Sequence, residues 1–542
     1  VERVHASVGW VGPKEHSGLQ YRSLRDIQMR GRWAVSYASG ACQPQYVRRP
    51  YHLATDTSVA SMHAACWCTE RAALERRVFV DQTMTEGGLK ALQETQKSWV
   101  GWFRSWDLQV LSREEAVSQL NPAKRRRYEA ALKSLRICEL DAKDAEVSMF
   151  VKADKLDGIG EAERKPRAIQ GRNPRYNLEI ARYLKPIEHK LMGWKGPRRG
   201  ILRSRIFAKG LNNAQRARLI IEKTTHFKCP QVICVDASAW DASVTFGHLQ
   251  LCHKLYLAGI RSREFRQLLK YQLLNKGKSH HGHEYWIKGN RMSGDMDTGI
   301  GNSLLNILVF STAMKILGIH KWDFLCDGDD ALVFVEEGVV DCQRLNEVCK
   351  DLGFCLTGGP VNVSAGNYWD IEFCRSHPIW TPGNGWVMCR NMQRAVDCFG
   401  LTHRYAHVPL GAYKKFLAGC GICELTCSSE LPMIGPLAWH SSMLSSKKIY
   451  GSEERWRSGV MLSDSQLDYT VRNNKQPQIH PRTRAQVAMA FNISIGQQLA
   501  YESSIPLRVG NLGRGEIVCS DGPSGDGDHY YTVAALSEDL DL

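Results

Sequence analysis

Between residues 231 and 390 the apolar and polar positions fall into short blocks that switch between strand and helix periods. QVICVD (231–236) reads as a buried-type strand that ends on Asp236. A helical pattern follows from about 246 to 275, and KGKSHHGHEYWIKG (276–289) has the pattern of a hairpin. A glycine-rich turn, RMSGDMDTG (291–299), leads into an apolar helix from about 299 to 317. Two apolar runs come next, Phe324–Cys326 and Ala331–Val335, with Asp-Gly between them, the usual signal of a tight hairpin. A helix at 340–352 and two or three short strands to about 390 follow, and 400–505 reads as mainly helical with loops.

Upstream the pattern is weaker. Residues 1 to about 80 are mixed, and 81–190 is charged and basic. NPAKRRRYEAALKSL (121–135) predicts a helix that starts at Asn121-Pro122 and exposes a Lys/Arg-rich face. Residues 164–191 interleave Arg164, Lys165, Arg167, Arg172 and Arg175 with proline and apolar residues. That predicts an ordered, extended basic segment suited to a groove that holds phosphates. The stretch 509–542, rich in Gly, Ser and Asp, predicts a mobile tail.

Composition sharpens this only in part. At 542 residues and 43% hydrophobic content, the chain can bury a large core split over several domains. A net charge of +15 favours an anionic partner, nucleic acid first, although charge alone decides little. The 18 cysteines form no evenly spaced framework and several sit in apolar runs, which fits reduced thiols in a cytosolic protein. Cys66 and Cys68, near His52 and His63, match no zinc template. With no run of 18 apolar residues and no signal peptide, no transmembrane helix is expected. A start at Val1 rather than Met is expected of a processed fragment or the downstream part of a longer product.

The candidate chemistry lies in FLCDGDDALVFVEE (324–337). Asp and Gly sit in many turns that do no chemistry. Here Asp329 and Asp330 follow the Gly directly, and Asp327 precedes it. Clustered carboxylates repel unless a cation or proton lies between them. Asp236 and Asp241, spaced D-x4-D, close the 231–236 strand. If the two strand ends are neighbours in one sheet, Asp236, Asp329 and Asp330 converge, and such a cluster suits a pair of Mg²⁺ ions in phosphoryl transfer. Thr298 and Asn302, four apart at a helix start, share a face, and Ser293 and Gly294 lie in the loop before it. They suit a ribose hydroxyl or a base pair, while plain helix capping explains any one of them alone. Gly-Lys-Ser at 277–279 is no phosphate loop, because position 272 is Gln and no strand leads in. His280, His281 and His283 read as a solvated loop, and GPSGDGD (522–528) shows that Gly-Asp without flanking strands carries no weight.

FVKADK (150–155), RKPRAIQGR (164–172), DASAWD (236–241), SGDMDTGIGN (293–302), GDD (328–330) and EFCRS (372–376) occur in one order. In that order the chain, from about 120 to 440, resembles the viral RNA-dependent RNA polymerases of positive-strand RNA viruses, closest to the tombusvirus-like group. The resemblance implies an α+β right hand, with an antiparallel ferredoxin-like palm sheet and mainly helical fingers and thumb. It implies an N-terminal extension at 1–80 packed on fingers or thumb, fingers at 81–230 and 247–290, palm at 231–246 and 291–390, thumb at 391–508 and a flexible tail at 509–542.

By resemblance, Asp236 and Asp329 hold two Mg²⁺ ions, Mn²⁺ substituting, and Asp330 assists. Asp241, Ser293 and Asn302 sense the ribose 2′-hydroxyl, supported by Thr298. Lys152, Lys155, Lys165, Arg167 and Arg172 match the segment that meets the triphosphate, with Arg172 counted among the RNA contacts. Phe373 and Cys374 match the support of the primer end, and Gly294, Lys124 and Arg125 join them as RNA contacts. Lys350 lies inside a helix rather than after Gly353, so no proton donor to pyrophosphate is assigned. The implied partners are a single-stranded RNA template and nascent RNA, ribonucleoside triphosphates and other viral replication proteins. A membrane enters only through an absent segment or a partner, at replication complexes in the host cytoplasm, and synthesis starts without a primer. The rivals are a reverse transcriptase, a non-catalytic RNA-binding scaffold descended from a polymerase, and a metal-dependent nuclease. Asp241 with Ser293 and Asn302 argues against the first, the intact carboxylates against the second, and the ribose set and motif order against the third.

Overall fold

Alternate residues of three apolar strands face two different cores. Ile233, Val235, Phe324, Cys326, Ala331, Val333 and Val335 point into the largest core, and Val232, Leu325, Leu332 and Phe334 into another. Side chains alternate across a strand, so burial on both faces explains why these runs are continuously apolar. With Leu356–Asn362 they form a four-stranded antiparallel sheet, in the order Asp323–Asp327, Asp330–Glu336, Pro230–Ala237, Leu356–Asn362. The first two strands are the expected hairpin, closed by the pair Asp327 and Asp330. Gly328, at φ +73, opens the two-residue turn, where primed hairpin turns need a positive φ.

The computed structural model describes residues 32–520 apart from 41–44, 49, 51–60, 81–82, 121, 157–164, 196–203, 452–453, 458–459, 511 and 513–516. Arg164, His52 and GPSGDGD therefore lie outside the described residues.

The helix Thr298–Ile316 runs through the largest core and is buried on all sides. Its mean hydropathy of 1.2 over 18 residues would allow a membrane span by composition, against the expectation of no such helix. Its burial and its inward Asn302, Ser303 and Asn306 mark it as a core helix instead. The helix Cys342–Asp351 then leads to the fourth strand.

Several expectations need correction. The predicted 246–275 helix is two, Phe246–Gly259 and Arg263–Lys270, because Ile260 turns extended and the Ser262 side chain caps the second by accepting from Phe265 N–H. The region expected to be mainly helical fingers also holds a five-stranded sheet. Its order is Trp33–Ser36, Glu284–Lys288, Leu274–Ser279, Val147–Val151, Ala168–Arg172, with one parallel pairing, 147–149 on 277–279. Trp33–Ser36 comes from the stretch that looked weakly patterned. The basic stretch is not extended throughout: after Arg172, the Asn173 side chain caps the helix Pro174–Met192. His283 is buried, accepting from Ala38 N–H and meeting the Trp67 carbonyl, while His280 and His281 are exposed. Ile517–Ser520, expected to be tail, pairs antiparallel with Gln45–Arg48.

Beyond residue 400, helices Leu410–Ser428, Ile434–Ser442, Asp464–Arg472, Pro481–Phe491 and Ile495–Gly510 pack round a second core that includes Tyr413, Phe416, Leu437 and Tyr501. The hairpin Ser376–Thr381 with Gly385–Arg390 joins it through Ile379 and Val387.

Candidate active site

Register brings the carboxylates together. Val235 pairs with Ala331 and Asp236 with Thr357, so Asp236 ends its strand beside the turn that carries Asp329 and Asp330. Ala239 then takes a left-handed conformation, and a short helix, Trp240–Ser243, turns Asp241 the same way. Asp236, Asp241, Asp327, Asp329 and Asp330 line one cavity of about 1030 Å³.

Solvent reaches Asp236 and Asp329 through the mouth of this cleft, yet the protein around Asp329 still disfavours its charge. Burial raises the Asp329 carboxyl, and negative Asp236 and Asp327 add to it, against Arg167. Burial and the neighbouring Asp329, Asp236 and Asp327 push Asp330 up to about 7. Asp241 is likewise pushed up to about 7 by burial and by Asp329, against the Asn302 amide and Arg291. Asp327, by contrast, is committed to the buried Arg216 guanidinium at 2.5 Å.

The core helix braces the turn. Gly328 N–H donates to Ser303 Oγ at 2.8 Å, and the Asn306 side-chain amide donates to the carbonyls of Gly328 and Asp329 at 3.2 and 2.9 Å. One turn earlier, Asn302 Nδ2 donates to Asp241 Oδ1 at 2.7 Å. Asn302 Oδ1 accepts from buried Arg291 at 3.2 Å, and Arg291 also pairs with buried Asp297. Ser293 Oγ accepts from Gln170 N–H and donates to the Ala168 carbonyl, tying its loop to the basic strand. Gly294 is needed there: a Cβ would lie 2.7 Å from Gln170 O and from Gly171 Cα. Thr298 Oγ1 donates to the carbonyls of Met292 and Asp295, which ties the helix start to the preceding loop rather than capping it, and Thr298 lines the cavity.

Cations line the same cavity. Lys152, Lys165 and Arg167 do so as expected, and Arg76, Arg77 and Arg375 join them unforeseen. Arg167 pairs with Asp154 and is raised by it, while burial and the positive charges of Arg167 and Arg375 lower Arg77. Arg76 and Arg77 sit in a one-turn π-helix, Leu74–Val78, whose Glu-Arg-Arg carries no distinctive signal. Cys374 and Arg375 both take positive φ, +52 and +56, in a tight turn between Phe373 and Ser376 that aims them at the cavity.

Other expected contacts stand elsewhere. Arg172 is a correction: its side chain is fully buried, paired with Asp295 at 2.5 Å and bonded to Asn275 and the Ala145 carbonyl, so it organises the loop rather than meeting RNA. Arg175 is spent likewise on Asp144 and the carbonyls of Cys138 and Glu139. Lys155 reaches Glu454 and the Cys398 carbonyl and does not line the cavity. Phe373 is buried in the core with Leu325 and Met388. Gly294, Lys124 and Arg125 do not line the cavity either. Lys124 and Arg125 lie on the exposed face of Pro122–Ile137, where Arg125 bonds the carbonyls of Ser118 and Leu120.

Among the described residues, no three His, Cys, Asp or Glu side chains stand ready round one point as a metal cage. The aspartates share a cavity rather than a finished coordination sphere. Any divalent cation held there would complete its sphere with waters or substrate oxygens. Burial first, and then the neighbouring carboxylates, raise Asp329 and Asp330, and such a cation relieves that repulsion.

A family model described as viral RNA dependent RNA polymerase matches residues 37–506. The RNA-directed RNA polymerase of Turnip crinkle virus is 34% identical over 320 residues, 57% of this chain and 39% of that protein. That of Tomato bushy stunt virus is 34% identical over 287 residues, covering 52% and 34%. That of Melon necrotic spot virus is 27% identical over 494 residues, covering 85% and 59%. The chain thus spans less than two thirds of the length of these curated relatives, and they bear out the tombusvirus-like resemblance.

Proposed function

The chain belongs to the family of viral RNA-dependent RNA polymerases, and on that premise we propose that it is a replicase catalytic subunit that joins ribonucleotides on a single-stranded RNA template. The family implies a right-hand polymerase, and helix with sheet here makes the class α+β. We assign the palm to the four-stranded sheet. Its order, with the first and third strands side by side in the middle, supports a ferredoxin-like reading in which the hairpin Leu274–Ser279 with Glu284–Lys288 is inserted, along with helices, between the first and second strands. The expected fingers and thumb boundaries are kept as part of the proposal, while Ile517–Ser520 is no longer counted as tail.

The observation that carries this reading is one cavity in which Asp236, Asp329 and Asp330 share space with Lys152, Lys165, Arg167, Arg77 and Arg375. Phosphoryl transfer needs both: carboxylates for a cation and cations for the triphosphate. The family uses divalent metal ions in general. We assign two Mg²⁺ ions, with Mn²⁺ as a substitute, to Asp236, Asp329 and Asp330. Bound there, they would stabilise the attacking and leaving oxygens of an in-line displacement.

The chain's own groups do the rest. Asn302 fixes one oxygen of Asp241 and leaves the carboxyl, with its pKa near 7, to exchange a hydrogen bond with a ribose 2′-hydroxyl. Ser293 and Thr298 hold the loop under that ribose. The cationic side chains offset charge building on the leaving pyrophosphate. Lys350 is exposed on its helix and lines no part of the cavity, so no proton donor is assigned. Lys124 and Arg125 are proposed template contacts. On the same helix Tyr128 reaches Met296, 3.9 Å from its sulfur, which puts that helix against the loop below the ribose site. Cys374 is proposed to support the primer end from its strained turn. Primer-independent initiation, other viral replication proteins and a membrane-associated setting in the host cytoplasm rest on the resemblance alone.

Incorporation of labelled ribonucleotide by purified protein on single-stranded RNA, with and without primer, tests the reading. Template-dependent product that disappears in Asp329→Ala supports it. RNA binding with no product under Mg²⁺ or Mn²⁺ favours the scaffold.

A further inference from the structure

Away from the carboxylates, the helices Glu86–Arg104, Phe246–Gly259 and Arg263–Lys270 enclose a second cavity of about 430 Å³. It shares no lining residue with the first. Arg104, Lys254, Arg261, Arg266 and Lys270 line it, all exposed, and no acidic side chain does. Among the described residues, Arg104, Lys254, Arg261 and Arg266 have no ion-pair partner. Some exposed cations elsewhere are paired, Arg136 with Glu114, Arg344 with Glu347 and Lys278 with Glu284, whereas here four share one concavity with no acid in its lining. The nearest acid in sequence, Glu264, is taken by Arg182 and Tyr183. Like charges gathered in a concavity repel one another, and the same field attracts an anion.

The floor is apolar. Leu269 is buried, and Val100 and Leu257 pack on the largest core. A basic rim over an apolar floor matches a ligand with several phosphates and a flat ring. The volume falls within the range of small-molecule sites, roughly 300–1,000 Å³, so a compact ligand fits better than a length of RNA.

We propose that this cavity is a second binding site, for a nucleoside polyphosphate. It stands apart from the reading of the carboxylate cavity as a polymerase centre. The test measures binding of ATP and of inorganic tripolyphosphate to the purified full chain in EDTA, by calorimetry. An Arg167→Ser background weakens nucleotide held by the carboxylate cavity. In that background, Lys254→Ser, Arg261→Ser and Arg266→Ser together are expected to weaken ATP by about tenfold for each charged hydrogen bond to phosphate that they remove. ATP is expected to outbind tripolyphosphate. ATP affinity unchanged by the triple substitution overturns the proposal. So does equal affinity for tripolyphosphate, which means a bare phosphate site, or a site that takes a short single-stranded RNA and no ATP. The substituted side chains are exposed, and Arg261→Ser alone gives the same readout should the triple variant fail to fold.

Discussion

Asp330 and Asp241 are acids poised near neutrality, since burial and the charge of Asp329 push both up to about 7. Between about pH 4, where such carboxyls ionise in the unfolded chain, and about 7, the folded chain holds the extra protons. Stability of the metal-free protein therefore falls as pH rises through that window. A divalent cation reverses this by favouring the ionised forms. Calorimetric Mg²⁺ titrations in buffers of different ionisation enthalpy should show proton release at pH 6–7 that fades by about pH 8.5. Arg172 gives a second test. Arg172→Met should cost about 3–5 kcal/mol in denaturant unfolding, because it strands the buried Asp295. An RNA contact would instead lose affinity at unchanged stability. The contrast shows where sequence reading stops at single residues. Asp236 and Asp329 were legible because they interrupt or end buried strands. An arginine in a basic stretch has the same signature whether it faces a groove, like Arg167, or a buried aspartate, like Arg172. Arg76, Arg77 and Arg375 were missed because a one-turn π-helix and a tight turn carry no periodic pattern.

At the scale of elements, the Thr298–Ile316 helix joins two tasks. Asn302 reaches Asp241, and Ser303 and Asn306 hold the backbone of the turn that presents Asp329. Asn306→Leu keeps the branched shape, with somewhat larger methyl groups, and removes both bonds to the turn. It is expected to cost about 1–3 kcal/mol in stability, with nucleotide incorporation falling at least about tenfold at saturating substrate. A variant as active as wild type would deny the brace. The hairpin and this helix were legible because each signal is local: an Asp-Gly turn between apolar runs, and an unbroken apolar stretch. The five-stranded sheet was not, because Val147–Val151 pairs with Ala168–Arg172 and, in parallel, with Leu274–Ser279, far along the chain. Nor could periodicity alone show that Trp33–Ser36 would find an edge at Glu284–Lys288.

The whole molecule carries a net charge of +15 and gathers cations round its carboxylates. Besides Arg291, which is buried against Asp297, six basic side chains line that cavity. If each of the six met a phosphate, the slope of log affinity for single-stranded RNA against log salt would be about −4. A flat dependence would place RNA elsewhere. Lys155 bears on the molecule in another way, tying its strand to Glu454 and the Cys398 carbonyl beside the C-terminal helices. The central claim, that Asp236, Asp329 and Asp330 serve template-directed RNA synthesis, is tested most directly by single-nucleotide addition. Purified protein, Mg²⁺ and a single-stranded RNA with one defined next base would be offered each ribonucleotide in turn. Addition of the complementary nucleotide alone, absent in Asp329→Ala, is the predicted result. Addition regardless of template, or addition that survives Asp329→Ala, would contradict it.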